Sequence, residues 1–270
     1  MPQALYQPFP MPGTARGHVW HHVPETRRPR HFHSEPELNL IAAGHASFGF
    51  GDSAIAVVAG DLLWWAPGQD HVLLDASADL DLYVIGVTPE LSARALATDI
   101  RSAYAGATRL RLDAETFDRL RGVCAMPLVT EDSPATEGRV GDLWRAAHAA
   151  RTNAPGKHAL TRRALVSMLE NPELTRRELA AAARGYPTEV SRHFHRDMHL
   201  TLSEYRTRLR LVRFIQEMDA GAPNMLTAAL AAGFGSYSQC HRKFQQTLGC
   251  SPRRFFVPTE RRRMEDAFTP

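Results

Sequence analysis

The chain has 270 residues, which suits about two domains at roughly 100–200 residues each. Its 44% hydrophobic and 23% charged residues are ordinary for packed globular cores and exclude a disordered or fibrous class. Net charge is +3, but it divides unevenly: residues 1–156 carry 13 Lys and Arg against 18 Asp and Glu, whereas residues 157–264 carry 19 against 9. A strongly basic second half beside an acidic first half predicts that a polyanion meets only the second. No apolar run reaches 18 residues, so no membrane span or membrane partner is expected. The N-terminus has no basic start followed by an apolar stretch, which argues against a secretory signal. Cys124, Cys240 and Cys250 are odd in number and lack a CxxC spacing, so a reducing, cytoplasmic setting is expected.

In chain order, His18 to Thr88 reads as short strands. Leu38–Ala43, Ala54–Ala59, Leu62–Trp65 and Leu82–Val87 alternate with turns at Gly44, Gly51-Asp52, Gly60-Asp61, Pro67-Gly68 and Ser77–Asp79, the rhythm of a sandwich or barrel. After Pro89 the pattern turns helical over Leu91–Ala105, Ala114–Cys124 and Glu137–Arg151, with breaks at Val129–Pro134 and Thr152–Gly156. From Lys157 to Phe256 nearly everything reads as short helices. The fold class expected is α+β: residues 1–88 a sensor barrel, 89–152 a helical dimerisation and linker region, 157–257 an all-α domain, and 258–270 a tail.

The basic half carries two similar units. Thr175 and Glu178 form a capping box that opens the first. Leu179–Ala183 supplies small side chains for a close helix crossing, Gly185 is expected to supply the turn, and Pro187 suits the first turn of the next helix. Val190 and Phe194 face inward on that helix, leaving Thr188, Glu189, Ser191, Arg192 and His195 on its free face. The second unit runs through Ala228–Phe234 to Ser236, an N-cap, with Phe244 inward and Tyr237, Gln239, Arg242 and Lys243 outward. Polar tips for base edges and cations for phosphate are what a helix entering a major groove needs. Between the units, Thr201–Asp219 forms a long helix with Thr201 as N-cap and Glu204 three residues on. It has two apolar stripes, one through Leu202, Tyr205, Leu209 and Val212, the other through Leu211, Phe214, Ile215 and Met218.

These residues carry a resemblance. Leu179-Ala180, Ser191-Arg192 with Phe194, Arg210-Leu211, Gly233-Phe234, Ser238, Arg242 with Phe244, and Gly249-x-Ser251-Pro252 are similar to the AraC/XylS-type DNA-binding domain. The resemblance implies two helix-turn-helix units on a shared helix, reading double-stranded DNA about one helical turn apart, and implies RNA polymerase as a partner. The chain departs from the pattern at Arg184 and His199, where glycine is usual. It departs again at Tyr186, where a serine N-cap is usual, and at Cys240, where an aromatic is usual.

The acidic half carries the other signal. His31 and His33 sit two apart on one strand face, Glu37 follows, and a second cluster runs from Gly60 through Pro67-Gly68 to His71. This resembles the paired motifs of cupins, with Pro67 one place later than usual. The resemblance implies that His31, His33, Glu37 and His71 converge inside the barrel as a candidate site for zinc, nickel, iron or manganese. A metal-free pocket is the favoured alternative, in which the same residues hydrogen-bond an organic effector such as a sugar or stand as satisfied polar core groups. Of the adjacent Trp64 and Trp65 only one can face the cavity, and Trp64 is assigned there; Asp70 reads as an exposed loop acid. The combined expectation is a homodimeric, effector-controlled transcription regulator that is not an enzyme. The alternative is a metal-dependent cupin dioxygenase or isomerase with a helical appendage.

Overall fold

The computed structural model describes residues 5–22, 28–96, 108–126, 134–152 and 156–261. The described residues of the first half form ten strands. Strands β2 (Gly17–His22), β4 (Glu37–Ala43), β7 (Asp61–Trp65), β9 (Asp81–Val87) and β10 (Arg109–Arg111) form an antiparallel sheet in the order β10-β7-β4-β9-β2. Strands β5 (His45–Phe50), β6 (Ser53–Val58) and β8 (Val72–Ala76) form a second, in the order β6-β5-β8. Two short strands, β1 (Leu5–Tyr6) and β3 (His31–Phe32), pair in parallel.

Side-chain alternation explains why the larger sheet is apolar on both faces. Ile41, Leu63, Trp65 and Leu82 meet Phe48, Phe50 and Val57 of the smaller sheet. Leu38, Leu40, Leu62, Trp64 and Ile85 point the other way. They lie under a helical layer of α1 (Pro89–Leu96), α2 (Ala114–Cys124) and α3 (Pro134–Thr152), which contributes Leu91, Val140, Leu143 and Trp144. Arg109–Arg111 was not legible as a strand. It pairs with β7, and both arginines reach the fully buried Asp61, Arg109 at 2.9 Å and Arg111 at 3.5 Å. The helix expected over Leu91–Ala105 is described only through Leu96, and residues 129–133 of the expected break, 153–155 of the linker and 262–270 of the tail lie outside the described residues.

The second half comprises α4 (Ala159–Glu170), α5 (Arg176–Ala182), α6 (Pro187–Met198), α7 (Leu202–Asp219), α8 (Met225–Ala231), α9 (Tyr237–Leu248) and α10 (Pro252–Phe255). The expected capping boxes form at Thr175–Glu178 and Thr201–Glu204, and Ser236 caps α9 by accepting from the Gln239 amide. The two stripes of α7 part company except at one residue: Tyr205, with Leu202 and Leu209, joins the core shared with α4–α6 and the sensor, while Leu211, Phe214 and Ile215 join that of α8–α10 together with Val212, which the spacing put in the first stripe.

The turn between α5 and α6 differs from expectation. Arg184, not Gly185, takes the left-handed conformation, at φ +56°. Gly185 instead permits close approach, since a Cβ there would meet Leu160 Cδ2 at 2.6 Å. His199 is left-handed too, at φ +54°, so both departures from the family glycines adopt the glycine conformation. Tyr186 makes no side-chain cap and stands 75% exposed. Tyr186→Ser is therefore expected to raise stability by about 1 kcal/mol, the usual worth of an N-cap, read from the urea midpoint.

Candidate functional site

The DNA-reading candidates occupy the outer faces of α6 and α9, both of which lie against α7. Thr188, Glu189, Arg192 and His195 are exposed on α6, with Ser191 half-buried and its hydroxyl donating to Pro187 O. Ser236 and Arg242 are exposed on α9, with Tyr237, Gln239 and Lys243 half-buried. Gln239 Oε1 accepts from the Gly235 amide at 2.8 Å, and the Tyr237 hydroxyl donates to Met225 Sδ. His195 Nε2 lies 3.5 Å from Asp52 of the β5–β6 turn, so a sensor carboxylate borders the α6 face.

Inside the sensor, four residues converge. His31, His33, Glu37 and His71 are all buried, and their ligand atoms lie within 4.8 Å of one another. The chain brings them together through the β3 region, the start of β4 and a backbone bridge between His31 and His71, whose amides and carbonyls exchange hydrogen bonds of 3.1 and 2.9 Å. Each imidazole is anchored through Nδ1 to a backbone carbonyl: His31 to Pro29 at 2.9 Å, His33 to Glu35 at 2.7 Å, His71 to Gln69 at 3.4 Å. A carbonyl only accepts, so Nδ1 carries the hydrogen and Nε2 is the nitrogen left for the centre.

His33 Nε2 is 2.8 Å from Glu37 Oε2, and His71 Nε2 is 3.0 Å from the same oxygen. Burial alone would depress the His33 pKa, but the hydrogen bond and charge of Glu37 raise it. Burial pushes the other way on Glu37, where the His71 charge and the His33 hydrogen bond hold the carboxyl well below its ordinary range. For His31, burial and the neighbouring imidazoles combine to lower the pKa well below the usual histidine value. The second Glu37 oxygen accepts from Asn39 Nδ2 at 2.6 Å, and Asn39 Oδ1 accepts from Trp65 Nε1 at 2.5 Å.

Trp65 stacks on His71, with centroids 4.8 Å apart and planes 7° from parallel. The placement of Trp64 in the pocket is corrected: it lies on the opposite sheet face, 4.5 Å from the Trp144 ring of α3. Period-2 alternation makes the two tryptophans exclusive, and the strand register gives the cavity to Trp65.

Asp70 is not an exposed loop acid. It is 1% exposed and accepts from Arg30 at 2.6 Å, from the Gly51 amide at 3.2 Å, and from Arg208 of α7. Burial favours its neutral form, but the charge and hydrogen bonds of Arg208, with those of Arg30, lower its pKa. Around it, the Tyr205 hydroxyl donates to Pro67 O at 2.6 Å and Phe32 enters the core of α7–α10. Gly51, at φ +52°, lies so close to the other half that a Cβ would meet His199 O at 2.0 Å. Asn39, Trp65, Arg30, Asp70, Tyr205 and Arg208 went unread as site residues. Only Asn39, two places beyond Glu37 on one strand face, carried a usable signal.

Two family models match the chain. Residues 18–149 match an AraC-like ligand-binding domain and residues 179–257 a helix-turn-helix domain, together spanning most of the sequence. The chain belongs to the AraC-type regulators. It is accordingly a DNA-binding transcription regulator with an N-terminal ligand-binding domain, and not an enzyme.

Among solved structures, ToxT from Vibrio cholerae bound to an unsaturated fatty acid is 10% identical over 88% of this chain and 92% of its own, at a TM-score of 0.46. The AraC-like transcriptional activator CuxR is 13% identical over 74% and 72%, at 0.36. An oxalate decarboxylase from Bacillus subtilis is 20% identical over only 27% and 21%, at 0.24. No curated protein matches the chain significantly. No helix among the described residues is long and apolar enough to cross a membrane.

Proposed function

We propose that this AraC-type regulator holds a divalent metal ion at His31, His33, Glu37 and His71, and that the state of this centre sets how the two reading helices are presented to DNA. The observation that carries the metal is the shared orientation of the imidazoles: each Nδ1 is tied to a carbonyl, and the remaining nitrogens gather round one carboxylate oxygen. That is the outer support that metal-binding histidines ordinarily have, with the Nε2 atoms of His33 and His71 both turned to the same Glu37 oxygen. Three imidazoles and a carboxylate suit zinc, nickel, iron or manganese and leave coordination positions open to a ligand.

The route to DNA is short. Asp70, which immediately precedes His71, accepts both from Arg30, which immediately precedes His31, and from Arg208 on the helix shared by both reading heads. A shift of His31 or His71 on seating an ion is passed to these ion pairs, biasing an equilibrium between presentations of α6 and α9. Residues 1–88 act as sensor and 157–257 as reader, with the helices over 89–152 as the surface of a cytoplasmic homodimer that recruits RNA polymerase.

On DNA, Thr188, Glu189, Ser191, Arg192 and His195 face one major-groove segment, and Ser236, Tyr237, Gln239, Arg242 and Lys243 the next. Arg242→Ala is expected to weaken operator binding roughly tenfold and, if the arginine meets phosphate, to reduce the salt slope by about 1. The test of the reading is metal analysis of purified full chain beside a gel shift on the DNA upstream of its own coding region. A stoichiometric metal that alters the shift is expected, and metal-free protein with a metal-insensitive shift contradicts it.

A further inference from the structure

We infer that the cavity opening from the His/Glu centre is the effector's seat, that its effector is a small organic acid, and that Arg28 receives the carboxylate. This rests on the regulator reading above and names its ligand. A cavity of about 260 Å³ opens between the sheets, with His31, Glu37 and His71 on one side, Arg28 and His22 on another, and Phe48, Leu73, Leu82 and Val84 as apolar wall. Three features define what fits.

The first is charge. Arg28 makes no ion pair or hydrogen bond with any described residue. The acid that acts on it electrostatically is Glu37, which is already engaged by His33 and Asn39. A divalent ion among three neutral imidazoles and one carboxylate leaves one positive charge, and Arg28 adds another. Arg28 is half-buried, and like charges gathered beside a cavity favour an anionic ligand there; a carboxylate is the group that a guanidinium fork binds in two parallel hydrogen bonds.

The second feature is polarity elsewhere. His22 Nε2 is buried on this wall without a hydrogen-bond partner among the described residues, so a second polar contact is open beside Arg28. The third is size. At about 30 Å³ per water, the cavity holds about nine waters' volume, room for a short carbon chain against the four apolar side chains but not for a long one. A bare oxyanion such as phosphate would leave that wall unused.

The test is calorimetric titration of the zinc-loaded full chain with butanoate, hexanoate, succinate, butanamide and inorganic phosphate, repeated with Arg28→Gln and Arg28→Lys and with metal-free protein. At least one carboxylate should bind with a dissociation constant of about 1 mM or tighter. Butanamide and phosphate should bind at least tenfold more weakly than that acid. Arg28→Gln should lose at least tenfold with zinc content and melting temperature unchanged, and Arg28→Lys should retain part of the affinity.

Absence of binding by every carboxylate, an unchanged affinity in Arg28→Gln, or phosphate binding as tightly as the best acid would overturn the inference. Zinc content and operator binding on the same preparations separate the two claims. Intact zinc and DNA binding with no acid bound sinks only the effector. Arg28-dependent acid binding without zinc sinks only the metal.

Discussion

Asp70→Ala is expected to destabilise the folded chain by about 3–5 kcal/mol, because it strands the guanidinium groups of Arg30 and Arg208 around a site that excludes water. Breaking a buried pair by deleting one member ordinarily costs that much, whereas exchanging the members for apolar groups of similar volume is often neutral. The pair Asp70→Leu with Arg208→Met should therefore recover much of the loss. The functional consequence differs between variants: the double variant keeps a folded sensor and folded reading units but lacks the charged link between them.

In the intact chain, metal and DNA should each change the other's affinity by the same factor, since coupling between two binding equilibria is reciprocal. A factor in the usual range of about 5–150-fold is expected. In the double variant it should fall towards one while both ligands still bind. Urea melts read the first effect, and fluorescence anisotropy with and without metal reads the second.

His71→Ala is expected to lower metal affinity at least a hundredfold, beyond the roughly 10–100-fold typical of losing an outer-shell partner. Asn39→Ala should show that lesser effect. Asn39 holds the Glu37 oxygen that does not face the imidazoles and is itself fixed by Trp65, so its loss leaves the ligands present but poorly aimed. The contrast distinguishes a built metal centre from a polar cluster that binds ions adventitiously, for which Asn39 would not matter. Metal at about 100 times its dissociation constant should add about 2.7 kcal/mol to wild-type stability, and the increment should fall to about 0.4 kcal/mol or less in His71→Ala at the same concentration. Calorimetry and thermal melts with and without chelator measure both.

Local signals were legible in proportion to how locally they act. Capping boxes at Thr175 and Thr201, the N-cap at Ser236 and the inward Phe194 and Phe244 depend on neighbours within one or two turns, and each is where the spacing puts it. Of the tetrad, the two-residue spacing put only His31 and His33 on a common face; the gathering of Glu37 and His71 with them was what the cupin resemblance implied. Trp64 was misplaced because alternation says only that adjacent tryptophans part, and the side each takes follows from the register β7 makes with β4.

Asp70 was misread for a deeper reason. It sits in a loop, where acids are usually solvated, and the partner that buries it lies 138 positions away in a helix that carries three other arginines. Nothing near Arg208 in sequence distinguishes it from Arg206 or Arg210. The turn at Arg184 shows the converse: Gly185 drew attention as the flexible residue, yet its role is clearance for Leu160, and its neighbour bears the positive φ.

The most direct test is hydroxyl-radical footprinting of the full chain on the DNA upstream of its own coding region, at low salt, with the metal-loaded protein. Two protected windows about one helical turn apart on one face of the duplex are predicted, with the window assigned to α9 lost in Arg242→Ala. A single window, windows on opposite faces, or no protection in any metal state would contradict the claim that α6 and α9 read one duplex together.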